Sequence, residues 1–79
     1  MTDLKFKLLY AEVGAEQAKK RALEFLERIK EEIERNPEKL LENDQELTLN
    51  CADFLRKKEE YLIERARVEA YKMMMNEEE

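Results

Sequence analysis

Apolar residues recur every three or four positions through the first part of the chain, which is the spacing of one face of an α-helix. The pattern predicts a single helix from about residue 3 to residue 35. No charged residue interrupts its apolar stripe, which consists of Leu4, Leu8, Ala11, Ala15, Ala18, Ala22, Phe25, Leu26, Ile29 and Ile33. The four alanines in the middle of the stripe would allow a second helix to approach closely.

A second stripe with the same period predicts another long helix over about 44–75, followed by an acidic tail at 76–79. Its members are Leu47, Cys51, Phe54, Leu55, Tyr61, Leu62, Ala66, Val68 and Met73. Between the two stripes, at about 36–43, Pro37 lacks a backbone N–H and should end the first helix. Pro37 can also open a short turn of helix. Asn43 followed by Glu46 matches a capping box and predicts the start of the second helix.

Two long helices with a short connection are expected to fold back as an antiparallel hairpin. With the bend near residue 40, the numbers of facing residues sum to about 80. The predicted facing pairs are Ile33 with Leu47, Ile29 with Cys51, and Phe25 with Leu55. A lone hairpin has a single seam and little core, so we expect association into a dimer that forms a four-helix bundle, or into a larger oligomer. The prediction is an all-α, single helical-hairpin domain over 1–79.

Composition narrows the classes of function. The 79 residues carry a net charge of −5, with 44% charged residues, and these values predict a soluble cytoplasmic protein. One cysteine and no histidine exclude a disulfide framework, a Cys/His zinc site and histidine-dependent catalysis. A single glycine cannot form a phosphate-binding loop. No apolar run suits a membrane span, and the acidic balance argues against direct nucleic-acid binding. We therefore expect a non-enzymatic protein with no cofactor and no metal.

The open end of the predicted hairpin departs from a simple amphipathic pattern, because apolar residues lie on both sides of the first helix. The register brings the end of the second helix beside them, with Glu77 and the two glutamates after it as an acidic rim. The resulting candidate interface consists of Phe6, Leu9, Tyr10, Val13, Val68, Tyr71, Met74 and Met75. Aromatic and methionine side chains are enriched in protein interfaces. Three uses remain open: cover by the chain's own connecting segment, contact with another copy, or binding of a different protein.

These features favour a small adaptor or inhibitor that binds another protein through the open end. Small size and the lack of catalytic groups also suit an accessory protein of a phage or mobile element that blocks a host factor. This last expectation comes from the type of protein and not from particular residues.

Three charged residues, Lys58, Arg65 and Glu69, fall in the middle of the second stripe and should face alanines of the first helix. In one interpretation their aliphatic stems pack on the alanines, and Arg65 pairs with Glu69. In the alternative, Lys58 and Arg65 hold a small anionic ligand such as a nucleotide inside an oligomer, with Tyr61 stacked on the base. That arrangement would make the protein a ligand-sequestering oligomer.

Overall fold

The computed structural model describes residues 2–78, which form two long antiparallel helices joined by a bend. Helix α1 spans Thr2–Arg35, a single 3₁₀ turn spans Pro37–Leu41, and helix α2 spans Gln45–Glu78. The hairpin measures 56 × 15 × 14 Å. The predicted all-α helical hairpin is confirmed. Helix α2 continues through 76–78, where the sequence suggested a tail, and Glu79 lies outside the described residues. Neither α1 nor α2 is long and apolar enough to cross a membrane.

Local hydrogen bonds shape the bend. The Asn36 N–H donates to the carbonyl of Glu32 at 3.0 Å and closes the last turn of α1. The Asn36 side chain then accepts a hydrogen bond from the Glu38 N–H at 3.2 Å. Pro37 opens the 3₁₀ turn at a position where the missing N–H costs nothing.

Helix α2 is capped by Asp44 and not by Asn43, so the predicted cap is wrong by one residue. Asp44 Oδ1 accepts from the Leu47 N–H at 2.8 Å, and the Thr48 hydroxyl donates to the Asp44 carbonyl at 2.8 Å. Lys39 Nζ lies 3.7 Å from Asp44 Oδ2 and ties the cap to the bend. Asn and Asp cap helices almost equally well, so spacing alone could not choose between these neighbours.

The seam of α1, meaning the row of its side chains that pack on α2, follows an alternating spacing of four and three residues. Its buried and half-buried members are Leu4, Leu8, Ala11, Ala15, Ala18, Ala22, Phe25, Ile29 and Glu32. This row reproduces the predicted stripe except near the bend. There Glu32 is buried, Ile33 is half-buried and Leu26 is exposed. The seam positions 4, 11, 18 and 25 repeat every seven residues, and the next position of this repeat is Glu32. The sequence analysis had instead placed the apolar residue Ile33 in the seam.

The seam of α2 differs more from the prediction, because Asn50, Lys57 and Glu64 occupy three of its nine positions. Its members are Leu47, Asn50, Phe54, Lys57, Tyr61, Glu64, Val68, Tyr71 and Met75. Four residues predicted to lie in this seam are exposed instead: Leu55, Leu62, Ala66 and Met73. Compared with the prediction, α2 is rotated about its axis by roughly one residue, or about 100°. The apolar residues of α2 surround much of the helix, so their pattern did not define a single packing face.

The register of the two helices is close to the predicted one. Asn50 Nδ2 lies 3.4 Å from Glu32 Oε1, and Glu64 lies against Gly14. The residue numbers of these two pairs sum to 82 and 78, each within two of the predicted sum of 80. Among the specific pairs, Phe25 with Leu55 is wrong, because Leu55 is exposed on the side of the hairpin.

The core is small and made mostly of small side chains. Its buried apolar members are Ala11, Ala18, Ala22, Ile29, Leu47 and Val68. Within the described part of the chain, no large side chain is fully buried. The hairpin therefore resembles half of a helical bundle, with its packing concentrated along one line.

Candidate functional site

The outer surface of α1 at the open end carries four exposed apolar side chains, which we call the tip quartet. The exposed fractions are 60% for Phe6, 56% for Leu9, 77% for Tyr10 and 48% for Val13. Their spacing of i, i+3, i+4 and i+7 places them side by side on a helix. Large aromatic and aliphatic groups therefore form one continuous patch on a rigid element.

The residues predicted to complete this patch from α2 are divided between surface and seam. Met74 is exposed, whereas Tyr71 and Met75 are half-buried against α1. Val68 is buried in the seam and is not available to a partner. The connecting segment over 36–44 cannot cover the tip quartet, because it lies at the opposite end of a 56 Å hairpin.

One side of the hairpin contains an open groove of about 630 Å³ between the helices. Tyr10, Gly14 and Arg21 line it from α1, and Glu64 and Tyr71 are among its residues from α2. At Gly14 the groove is bounded by the Glu64 side chain, whose Oε2 would lie 3.2 Å from an added Cβ. Two polar members of the α2 seam, Lys57 and Glu64, line this side.

Two cations of the groove are paired with carboxylates on their own helix. Lys57 Nζ lies 3.0 Å from Glu60 Oε2, and Arg67 Nη1 lies 2.7 Å from Glu64 Oε1. Such pairs compete with an incoming anion for the same donors. Lys7 and Arg21 also line the groove, so its lining contains four cations and two carboxylates.

The charged residues predicted for the middle of the α2 seam lie outside it. Lys58, Arg65 and Glu69 are all exposed, so the expectation that they face alanines of α1 is wrong. Lys57 and Glu64, each one residue earlier than a predicted position, occupy the seam instead. No ion pair joins Arg65 to Glu69 in the described structure. Tyr61 is half-buried, and neither Lys58 nor Arg65 lines the groove.

A second apolar surface was missed by the sequence analysis, which had placed most of its residues in the seam. We call it the lateral face; its half-buried or exposed members are Leu23, Leu26, Ile33, Cys51, Leu55 and Leu62. Helical periodicity places it on the side of the hairpin opposite the groove. The signal that could have revealed it is the width of both apolar stripes, which exceeds what one neighbouring helix can cover.

The buried polar residue Glu32 also escaped the sequence analysis. Its exposed fraction is 8%, and Asn50 donates a long hydrogen bond to Oε1. The other oxygen, Oε2, has no hydrogen-bond partner among the described residues. A polar pair at one seam position favours a single register over shifted alternatives, because a shift would bury both groups unpaired.

The carboxylates and the cysteine of the described residues are too dispersed to form a metal site. This part of the chain contains no group of three or more Cys, Asp or Glu side chains placed to hold a metal ion. Cys51 is a free, half-buried thiol on the lateral face. The candidate functional surfaces are the tip quartet and the lateral face.

Comparison with protein-family models, curated proteins and solved structures finds no match to this chain.

Proposed function

We propose that this protein is a small non-enzymatic binding module that acts as an adaptor or inhibitor of another protein. The observation that carries the proposal is the exposure of the tip quartet on a preformed helix. Exposed apolar residues are common when scattered singly, but contiguous patches on small proteins mark interaction sites. Tyr10 supports this proposal most strongly, because it is an aromatic residue exposed by 77% beside three other apolar groups.

The spacing of the quartet suggests how the partner is bound. Side chains at i, i+3, i+4 and i+7 are the anchors of a helix that inserts into an apolar groove of its target. Helix α1 is already formed and supported by α2, so binding would require little ordering of the chain. Met74 and Tyr71 lie near the same end and would extend the contact onto α2.

The nucleotide-sequestering alternative receives no support from the geometry. Lys58 and Arg65 are exposed on the lateral side of α2 and do not line the groove, so the residues predicted to hold the nucleotide do not lie in its cavity. Self-association remains part of the proposal, since the hairpin has so little core, and it would involve a surface other than the tip quartet.

Substitution of Tyr10 by glutamate tests the proposal. The change places a charge in the centre of the patch, and loss of such an anchor typically weakens binding by at least about thirtyfold. Leu41→Glu is the matched control, because Leu41 is 90% exposed at the distant bend. We would capture partners on each immobilised variant and then measure the affinity of the purified partner by calorimetry.

The expected result is a partner that binds the unchanged protein and Leu41→Glu equally, and that is lost or strongly weakened with Tyr10→Glu. Circular dichroism must show equal helicity in all three proteins. Equal affinity of the purified partner for all three would contradict the assignment of the binding surface to the tip quartet.

A further inference from the structure

The single hairpin exposes more surface than a compact chain of its mass. Its accessible area is 6533 Å². Compact monomers of 9.6 kDa expose about 5,100 Å². The excess of about 1,400 Å² lies in the range that one subunit buries in an obligate dimer. Burying this excess area would require a contact larger than the tip quartet alone could form.

The lateral face is the apolar surface placed to make that contact. Leu26 and Ile33 are one heptad apart on α1, and Leu55 and Leu62 are one heptad apart on α2. Each pair therefore forms a row along its helix. The two rows border the seam from the same side, so covering them would extend the small core without rearranging the hairpin.

We infer that a second copy of this chain covers the lateral face, forming a four-helix bundle in which both bends lie at the same end. The apolar part of the lateral face lies toward the bend, from Ile33 and Cys51 to Leu23 and Leu62. Side-by-side copies with their bends together place this part against its counterpart. Copies running in opposite directions would instead place it against the charged half of the partner.

Charges of both signs occupy the open half of the lateral side. Glu12 and Glu16 share the heptad positions of Leu26 and Leu23, and Lys58 and Arg65 share the position of Cys51, so all four lie on the lateral side. The observed contact of Gly14 with Glu64 places Glu12 level with Ala66, Glu16 level with Leu62 and Lys19 level with Glu59. A two-fold axis along the hairpin places α1 of one copy beside α2 of the other. Glu12 of one copy would then lie beside Arg65 of the other, but Lys19, at the same heptad position as Glu12, would lie beside Lys58. The direction of pairing therefore depends on the apolar residues and not on the charges.

Two leucines of α2 provide a matched test of the face. Leu55 is 58% exposed on the lateral face, and Leu49 is 63% exposed. Leu49 lies two heptads before Ile63, which lines the groove on the opposite side. Neither leucine lies in the core of a single hairpin. Leu55→Glu and Leu49→Glu should therefore have similar effects on a monomer and different effects if a second copy covers the lateral face. We would measure molar mass by size exclusion with light scattering and helicity by circular dichroism.

We expect twice the chain mass for the unchanged protein and for Leu49→Glu, and half of that value for Leu55→Glu. Unfolding of Leu55→Glu while Leu49→Glu stays folded would also support the dimer, because the two leucines are similarly exposed in a lone hairpin. A folded monomer for the unchanged protein, or equal masses for all three, would overturn the proposal.

The direction of pairing is tested separately with a spin label at the open end. Glu77→Cys in a Cys51→Ala background leaves one cysteine on each copy for the spin label. The mass of the labelled protein is measured first to verify that it is still a dimer. With the bends together, the two labels should lie within about 30 Å of each other, given helix spacings of 8–10 Å in bundles. A distance above about 40 Å, expected for opposed helices with a rise of 1.5 Å per residue, would overturn the arrangement.

Discussion

Gly14 lies where α1 comes close to a side chain of α2 at the groove. Gly14 is the single glycine of the chain and lies in the interior of α1, where glycine costs about 1 kcal/mol relative to alanine. Its backbone has ordinary helical geometry, since no positive φ occurs among the described residues. What distinguishes the position is the carboxylate of Glu64, which lies close above it. Glu64 borders an open groove and is free to shift by a few tenths of an ångström.

Gly14→Ala should therefore stabilise the protein by about 0.5–1 kcal/mol, because the gain in helix propensity exceeds the cost of moving Glu64. Urea denaturation at one fixed protein concentration measures the change. In a Glu64→Ala background the same substitution should stabilise at least as much, since no carboxylate then needs to move. Destabilisation in both backgrounds would show that the backbones, and not the Glu64 side chain, require the glycine.

At the scale of the elements, the sequence predicts the helices better than their faces. Pro37 and Asn36 end α1 and open the bend through local backbone chemistry, so both features are readable from neighbouring residues. The rotation of α2 about its axis cannot be read from neighbouring residues, because it depends on which row of α2 side chains packs best on the alanines of α1. Lys57 and Glu64 occupy the seam although Leu55 and Leu62 are more apolar. A stripe wide enough for two neighbours cannot reveal which part each neighbour covers.

The cap of α2 offers a test at this scale. Asp44→Ala removes the acceptor of the Leu47 N–H and the partner of Lys39. Loss of an N-cap typically costs about 1 kcal/mol. We expect a loss of this size in urea denaturation. Asn43→Ala, the adjacent position that the sequence favoured, should change stability by less than about 0.5 kcal/mol. A larger effect at Asn43 than at Asp44 would contradict the observed cap.

For the whole molecule, the two apolar surfaces imply two separate contacts. The exposure of the tip quartet was predictable from its spacing, whereas the burial of Val68 and the lateral face became visible only once the packing of α2 was known. If the bends lie together, both tip quartets of a dimer are presented at the same end. Both tip quartets of one dimer could then bind a target that has two copies of the recognised groove. A short distance between the two sites gives the second binding step an effective concentration of about millimolar. Tyr10→Glu should consequently leave the dimer intact while abolishing partner binding.

Small-angle X-ray scattering on an absolute scale tests the central claim, that one hairpin is half of a bundle, because it reports mass and length together. We predict a particle of twice 9.6 kDa whose largest dimension stays close to the 56 Å of a single hairpin. A particle of single mass would contradict the account. So would a particle of double mass and about twice the length, because it would mean that copies associate end to end through their tips.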